Sequence, residues 1–95
     1  MSLEGLEALR TRFRERSHDE LQTIEDWVAK GCLPSESMER MIHNMAGAAG
    51  TFGYADLHRA AARIDDSFCA DEAVRAQDGL TLIEALRALP ATRKE

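Results

Sequence analysis

One histidine, His43, stands out because two glycines follow it at helical spacing. Gly47 comes four residues later and Gly50 seven residues later, so all three fall on one side of an α-helix with about 3.6 residues per turn. A neutral imidazole is a nucleophile near neutral pH, since its unperturbed pKa is about 6.5. Each glycine inside a helix costs about 1 kcal/mol relative to alanine, and it leaves backbone that another molecule can approach closely. His43 is therefore a candidate reactive group on a cleared surface.

A helix over about residues 35–50 must position this histidine. Its apolar side chains recur at three- and four-residue spacing: Met38, Met41, Ile42, Met45, Ala49 and Phe52. Such a stripe faces a core, and His43 points roughly 140–150° away from the middle of it. Pro34 and Ser35 are typical of a helix start. Gly53 is the candidate left-handed residue after the helix end.

A long first helix is predicted from near Ser2 to Lys30-Gly31, where lysine suits the last turn and glycine the position after it. The early apolar stripe consists of Leu3, Leu6, Leu9 and Phe13. Residues 17–20 have the form of a capping box, so the helix kinks or restarts near Ser17. We favour one long element with a possible break there.

Two more helices complete the prediction. The third runs over about residues 54–67, with Leu57, Ala60, Ala61 and Ile64 facing inward. The fourth starts at an Asp71 cap and is stopped by Pro90; Asp78-Gly79 weakens its middle, and residues 80–89 are its surer part. Residues 91–95 are expected to be a frayed tail. Short loops between consecutive helices imply an all-α, antiparallel up-down four-helix bundle.

The length and composition fit one domain over residues 1–95 with one modest core. The net charge of −5 argues against a nucleic-acid binder, and no apolar run approaches the roughly 20 residues that span a bilayer. No signal peptide is evident. Cys32 and Cys69 lack a metal-finger spacing, so a reduced thiol pair in the cytoplasm is favoured over a disulfide. Each helix buries one stripe, which gives no need for a second copy, and a monomer is expected.

The middle of the sequence resembles the histidine phosphotransfer (HPt) domain family. The resemblance lies in residues 43–53, HNMAGAAGTFG, together with Leu57 and Asp65. That family reads roughly His-x-Leu-Lys-Gly, then a hydrophobic residue and glycine, then leucine, and a Leu-Glu pair further on. The match is close over the central motif, residues 35–66. The flanking helices agree in number, length and polarity but carry no motif of their own.

The resemblance implies a phosphoryl carrier of a two-component phosphorelay. His43 would be the phosphoacceptor, exchanging a phosphoryl group with the aspartate of a response-regulator receiver domain or a hybrid sensor histidine kinase. The chain would need no cofactor, because the receiver brings its own Mg²⁺. Gly47 and Gly50 would provide clearance for the receiver. The expected docking residues are Glu39, Gly47, Gly50 and Phe52.

One departure from the family concerns Ala46, which stands where the family usually has a lysine that helps to neutralise the phosphate. We expect the phosphate neighbourhood to include Arg40, Ala46 and Gly47. Arg40, one turn before His43, is the closest basic substitute on the helix. Basic side chains of the third helix could also approach, but the sequence does not show which side they face: they are His58, Arg59 and Arg63.

Other functions have less support in the sequence. No P-loop, kinase glycine loop, nucleophile elbow or HExxH pattern occurs, so the chain is not expected to be an ATP-dependent kinase or another enzyme. A zinc site from His43, His58 and Cys69 has no spacing signal, and no metal is expected. His18 and His58 are expected to be structural or solvated. The alternative function is a helical adaptor that binds a partner without phosphorylation, and Ala46 is its best support.

Overall fold

Four α-helices make up the part of the chain that the computed structural model describes, which is the backbone of residues 3–90 and the side chains of residues 5–90. They are α1 (Leu3–Ala29), α2 (Glu36–Phe52), α3 (Ala55–Cys69) and α4 (Ala76–Arg87). Consecutive helices are antiparallel, and α1 packs on both α2 and α4 to close the bundle. The chain is thus the up-down four-helix bundle that the sequence predicts. The predicted start at Ser2 and the predicted frayed tail lie outside the described residues.

The core consists of one apolar face from each helix, as the spacing predicts. Its largest fully buried apolar side chains are Ile24, Ile42, Leu57, Ile64, Leu82 and Leu86. Ala60 and Ala61 are also buried, and their small side chains suit close packing of α3 against the neighbouring helices, of which α2 is its most extensive partner. Both cysteines are free thiols, with Cys32 buried and Cys69 exposed, so the disulfide alternative is wrong.

α1 runs through Ser17 without a break. Ser17 is only 1% exposed, so its side chain packs inside the bundle instead of capping a helix end. The apolar stripes before and after Ser17 have compatible phase, and their packing outweighs the modest helix cost of one serine. The predicted single long helix is therefore confirmed, and the kink or restart considered near Ser17 does not occur.

The N-terminal part of α1 extends beyond the bundle. A helix of 27 residues is about 40 Å long, whereas the 17 residues of α2 cover about 26 Å. Leu6 and Leu9 are therefore 38% and 37% exposed. The predicted apolar stripe is thus only partly covered at this end of α1, where Leu9 lines a groove with Phe13 of α1 and Phe52 of α2.

α4 begins later than predicted, at Ala76, and Asp71 does not cap it. Asp71 instead adopts a left-handed conformation, with φ 58°, in the turn after α3. Gly79 does not weaken the middle of the helix but lies in its first turn, where it is buried. A Cβ atom at Gly79 would lie 2.8 Å from Cγ2 of Val28, so this glycine allows α4 to approach α1 closely.

Candidate functional site

The ends of α2 are fixed by its flanking residues, and this determines where His43 lies. The Ser35 side chain accepts the backbone N–H of Met38 at 3.2 Å, which satisfies one of the free donors at the helix start. Gly53 has φ 85° and donates its N–H to the carbonyls of Ala49 and Gly50. Both residues act as the sequence predicts, although the helix extends to Phe52 and not only to Gly50.

The His43 side chain projects from the solvent-exposed face of α2 and is 70% exposed. Its Nδ1 lies 3.1 Å from Oδ2 of Asp65, a residue of α3 whose side chain is 21% exposed. An ionised carboxylate can only accept a hydrogen bond, so Nδ1 carries the proton in this pair. Nε2 is then the lone-pair nitrogen. The pair fixes both the tautomer and the orientation of an exposed nucleophile.

A shallow groove surrounds His43 at the α2–α3 interface. Its lining residues are Glu36, Glu39, Arg40, His43, Asp65, Phe68 and Cys69. Three of these side chains are carboxylates and one is a guanidinium, so the groove has an acidic character. Arg40 is exposed, and it forms no ion pair within the described part of the chain. The sequence placed Arg40 and Glu39 near His43, and the structure brings both to this groove.

The other two arginines considered as substitutes for the family lysine are engaged elsewhere. Arg59 pairs with Asp56 one turn earlier on α3, and Arg63 pairs with Asp78 of α4, with Nε 3.0 Å from Oδ1. Both line the α3–α4 surface, away from the His43 groove. Among the described residues, Arg40 is the basic side chain that lines this groove.

Ala46 does not present its side chain to the surface beside His43. It is 6% exposed and belongs to the core, because its position on α2 is turned about 60° from His43 towards α3. The prediction that its side chain contributes to the phosphate neighbourhood is wrong in this respect. Its backbone carbonyl has a partner, since Nδ1 of His58 lies 2.8 Å from that oxygen.

The two glycines after His43 have different surroundings. A Cβ atom added at Gly47 would meet nothing within 4 Å, in keeping with open backbone. A Cβ atom at Gly50 would lie 3.0 Å from Nδ1 of His58. The expectation that Gly50 leaves free space is therefore wrong, because the imidazole of His58 occupies it.

Phe52 does not share the face of His43. It comes nine residues later, which places it on the opposite side of α2 at about 100° per residue. Its ring packs against Phe13 of α1, with 5.6 Å between the ring centroids. The predicted docking set thus divides: Glu39 and Gly47 lie beside His43, Gly50 lies under His58, and Phe52 lies on the α1 side.

Comparison with known families agrees with this arrangement. A family model described as the Hpt domain matches residues 8–92, a range that contains α2, α3, α4 and most of α1. The chain belongs to the Hpt domain family. Searches of curated proteins and of solved structures found no match.

Asp65 is the site residue of this Hpt domain that the sequence did not assign. In the sequence it is only the acidic residue of the family motif, with no role of its own. It lies 22 residues after His43 and on another helix, so spacing within one helix does not reveal the contact. The sequence feature that points to Asp65 is its place in the family motif, where an acidic residue occurs near the end of the helix that follows the histidine.

The Hpt domain offers no metal cluster in its described residues. Cys69 lines the groove of His43, but His58 is held over Gly50, two helical turns away along α2. The zinc site considered from the sequence is therefore not formed. None of the four described helices combines the length and apolar character that crossing a bilayer requires.

Proposed function

We propose that His43 carries a phosphoryl group between receiver domains in a phosphorelay. The observation that carries the proposal is the pairing of His43 Nδ1 with Asp65. This pairing leaves Nε2 as the attacking nitrogen on an exposed side chain. Membership of the Hpt domain family supports the same role.

The transfer step follows from this geometry. Nε2 attacks the phosphorus of the receiver's aspartyl phosphate; the N–P bond forms while the bond between phosphorus and the aspartate oxygen breaks. The receiver's carboxylate leaves with that electron pair. In the reverse step the carboxylate oxygen attacks phosphorus, the N–P bond breaks and Nε2 regains its lone pair, which regenerates the aspartyl phosphate. The imidazole gains positive charge while Nδ1 keeps its proton, and the Asp65 carboxylate stabilises that charge through a charge-assisted hydrogen bond. Phosphoryl transfer depends mainly on positioning and charge neutralisation. The receiver would supply Mg²⁺.

The partner would reach His43 from the solvent side of α2. The exposed face of α2 carries Arg40 before His43 and Gly47 after it. Gly47 has open space in place of a side chain, so a partner surface can approach the backbone there. Arg40 is available to pair with the phosphoryl group. In this proposal residues 1–95 form one cytoplasmic domain that acts as a carrier and does not use ATP.

The proposal is tested by phosphoryl transfer from purified receiver domains. Each receiver is phosphorylated first and is then mixed with the chain. We expect phosphate on the chain that is stable in alkali, labile in acid and lost in His43→Gln. His18→Gln is the matched control, and it should retain the label. If no receiver in a broad panel transfers its phosphate, the proposal fails and the adaptor function, suggested by Ala46, is favoured.

A further inference from the structure

A second imidazole, that of His58, packs on α2 along the same α2–α3 interface as His43, and the residue also lines the α3–α4 surface. The His58 ring is seated on α2 where Gly50 leaves room for it. The atoms nearest to an added Gly50 Cβ would be Nδ1, Cε1 and Cγ of His58, at 3.0, 3.3 and 3.6 Å. These three atoms form one edge of the ring. Nε2 and Cδ2 are therefore at the far edge, and the residue as a whole is exposed.

The contact of His58 with Ala46 fixes its tautomer. Nδ1 lies 2.8 Å from the Ala46 carbonyl oxygen, and a carbonyl oxygen only accepts hydrogen bonds. Nδ1 therefore carries a proton. In the neutral imidazole Nε2 is then an acceptor with a free lone pair, and it lies on the ring edge that faces away from α2.

His58 and His43 are in register along the interface. On α2, Gly50 follows His43 by seven residues; on α3, Asp65 follows His58 by the same number. Because the helices are antiparallel, His43 meets Asp65 and Gly50 meets His58. Seven residues of helix correspond to about 10.5 Å. Gly47, with nothing above it, lies between the two imidazoles.

This separation decides what His58 can do. At about 10 Å along the helix it is too far from His43 to touch the transferring phosphoryl group. It is near enough, however, to lie under any domain that docks on His43. An interface at the lower end of the standard size range buries about 600 Å² on each partner, which for a round patch is a radius of about 14 Å. A receiver centred on His43 would therefore cover His58.

We propose that His58 is a specificity-determining docking residue, whose Nε2 accepts a hydrogen bond from an N–H or O–H group of the receiver domain. This inference rests on the proposed phosphotransfer function. A receiver without such a donor would cover the nitrogen and leave it unpaired, which disfavours that partner. His58 thus selects among receivers through binding, and the chemistry at His43 is unchanged.

Two substitutions of His58 distinguish the contribution of Nδ1 from that of Nε2. His58→Asn places an amide nitrogen near the position of Nδ1, so it can still donate to the Ala46 carbonyl, but it has nothing in place of Nε2. His58→Gln reaches the position of Nε2 with a polar group and lacks the donor to Ala46. If His58 is purely structural, the asparagine variant should behave like the unsubstituted chain.

The measurement is the rate of transfer from a phosphorylated receiver as a function of its concentration. We expect His58→Asn to raise the half-saturating receiver concentration about tenfold, with the maximal rate and the Tm unchanged. His58→Gln should give an intermediate value. Equal half-saturation for His58→Asn and the unsubstituted chain would overturn the inference, as would a larger defect in His58→Gln than in His58→Asn.

A second readout distinguishes this inference from the proposed function. Phosphoramidate can phosphorylate an exposed histidine without any docking, so its labelling of His43 should be the same in both His58 variants. A lower labelling rate in His58→Asn would mean that His58 acts on the chemistry and would overturn the docking role. Absence of transfer from every receiver to the unsubstituted chain would instead overturn the proposed function, and the inference with it.

Discussion

His43 and Asp65 form a hydrogen-bonded pair across the α2–α3 interface, with 3.1 Å between Nδ1 and Oδ2. The histidine is the more exposed partner, at 70% against 21% for the aspartate. The half-buried carboxylate of Asp65 thus positions the exposed imidazole of His43. In this way α3 determines how the imidazole on α2 is oriented. Reactivity at His43 therefore depends on both helices and on the register between them.

We expect Asp65→Asn to slow phosphoryl transfer to His43 about tenfold. The amide oxygen can still accept from Nδ1, but the charge assistance is lost, and about 1.4 kcal/mol corresponds to a factor of ten. The exposed position of His43 keeps the effect from being larger, since solvent screens the pair. Single-turnover transfer from a phosphorylated receiver measures the change.

Asp66→Asn is the matched control for this substitution. It removes the same charge from the neighbouring, exposed residue of α3, which lines the α3–α4 surface. The Asp66→Asn variant should accept the phosphoryl group at a rate within about a factor of two of that of the unsubstituted chain, because solvent-exposed charges contribute little interaction energy. Equal losses in both variants would mean that overall charge, and not the contact with His43, sets the rate.

Arg40→Ala should slow transfer by less than tenfold, whereas His43→Gln abolishes it. Arg40 lies in the same groove as His43 and is exposed, so its attraction for the phosphoryl group is screened and worth about 1 kcal/mol at most. The defect should shrink as salt rises towards 1 M, where the Debye length falls to about 3 Å. Arg59→Ala, which removes a guanidinium already paired with Asp56, should leave the rate unchanged. Equal, small effects of Arg40→Ala and His43→Gln would refute this ranking.

The sequence identified the residues whose roles are local to one helix. His43 on the exposed face of α2, Ser35 at its start and Gly53 after its end all follow from spacing and capping rules. The contacts between helices were not predictable in the same way. Asp65 meets His43, and His58 fills the space above Gly50, only because two antiparallel helices pack in one particular register. The partial exposure of Leu6 and Leu9 on α1 likewise depends on how the neighbouring helices pack, which no feature of the α1 sequence reveals.

Gly47→Ala and Gly50→Ala should differ in their effects. A methyl group added at Gly47 has no atom within 4 Å, so the helix gains about 1 kcal/mol of stability. Transfer from a receiver should nevertheless become slower, because the methyl group lies on the docking face. At Gly50 the methyl would displace His58 from Ala46, and the loss of that hydrogen bond offsets the helix gain. Thermal unfolding and the half-saturating receiver concentration measure the two effects separately.

A double-mutant cycle tests the explanation for Gly50. In a His58→Ala background no ring stands above residue 50, so Gly50→Ala should now stabilise the fold by about 1 kcal/mol. Additive effects of the two substitutions would show that His58 does not limit the space at Gly50.

Gly79→Ala should lower the free energy of unfolding by about 1–3 kcal/mol, the usual cost of overpacking. The new Cβ would lie 2.8 Å from Cγ2 of Val28, so α4 must move away from α1. Chemical denaturation measures the loss. In a Val28→Ala background the cost should be much smaller, and an unchanged cost there would contradict this contact as the cause.

The last prediction concerns Tyr54, which joins α1 to the turn between α2 and α3. Arg14 donates to its hydroxyl at 2.8 Å, and the Arg10 guanidinium lies 5.2 Å from the ring centroid. Burial raises the pKa of Tyr54, but the hydrogen bonds and positive charges of Arg14 and Arg10 outweigh it, and the net pKa lies below the ordinary value of 10.0. The folded state therefore loses the phenolic proton before the unfolded state does.

A lowered folded-state pKa of this kind adds stability as pH rises. Below the folded pKa the phenol is protonated in both states, so the difference in unfolding free energy between the unsubstituted chain and Tyr54→Phe should not vary with pH. As pH climbs through the folded pKa towards 10.0, the unsubstituted chain should gain stability over the variant, and this gain is lost again as pH falls. The chain has a single tyrosine, so phenolate absorbance reports Tyr54 alone. Arg14→Gln should move that titration to higher pH, and an unmoved titration would show that the arginine does not act on the phenol.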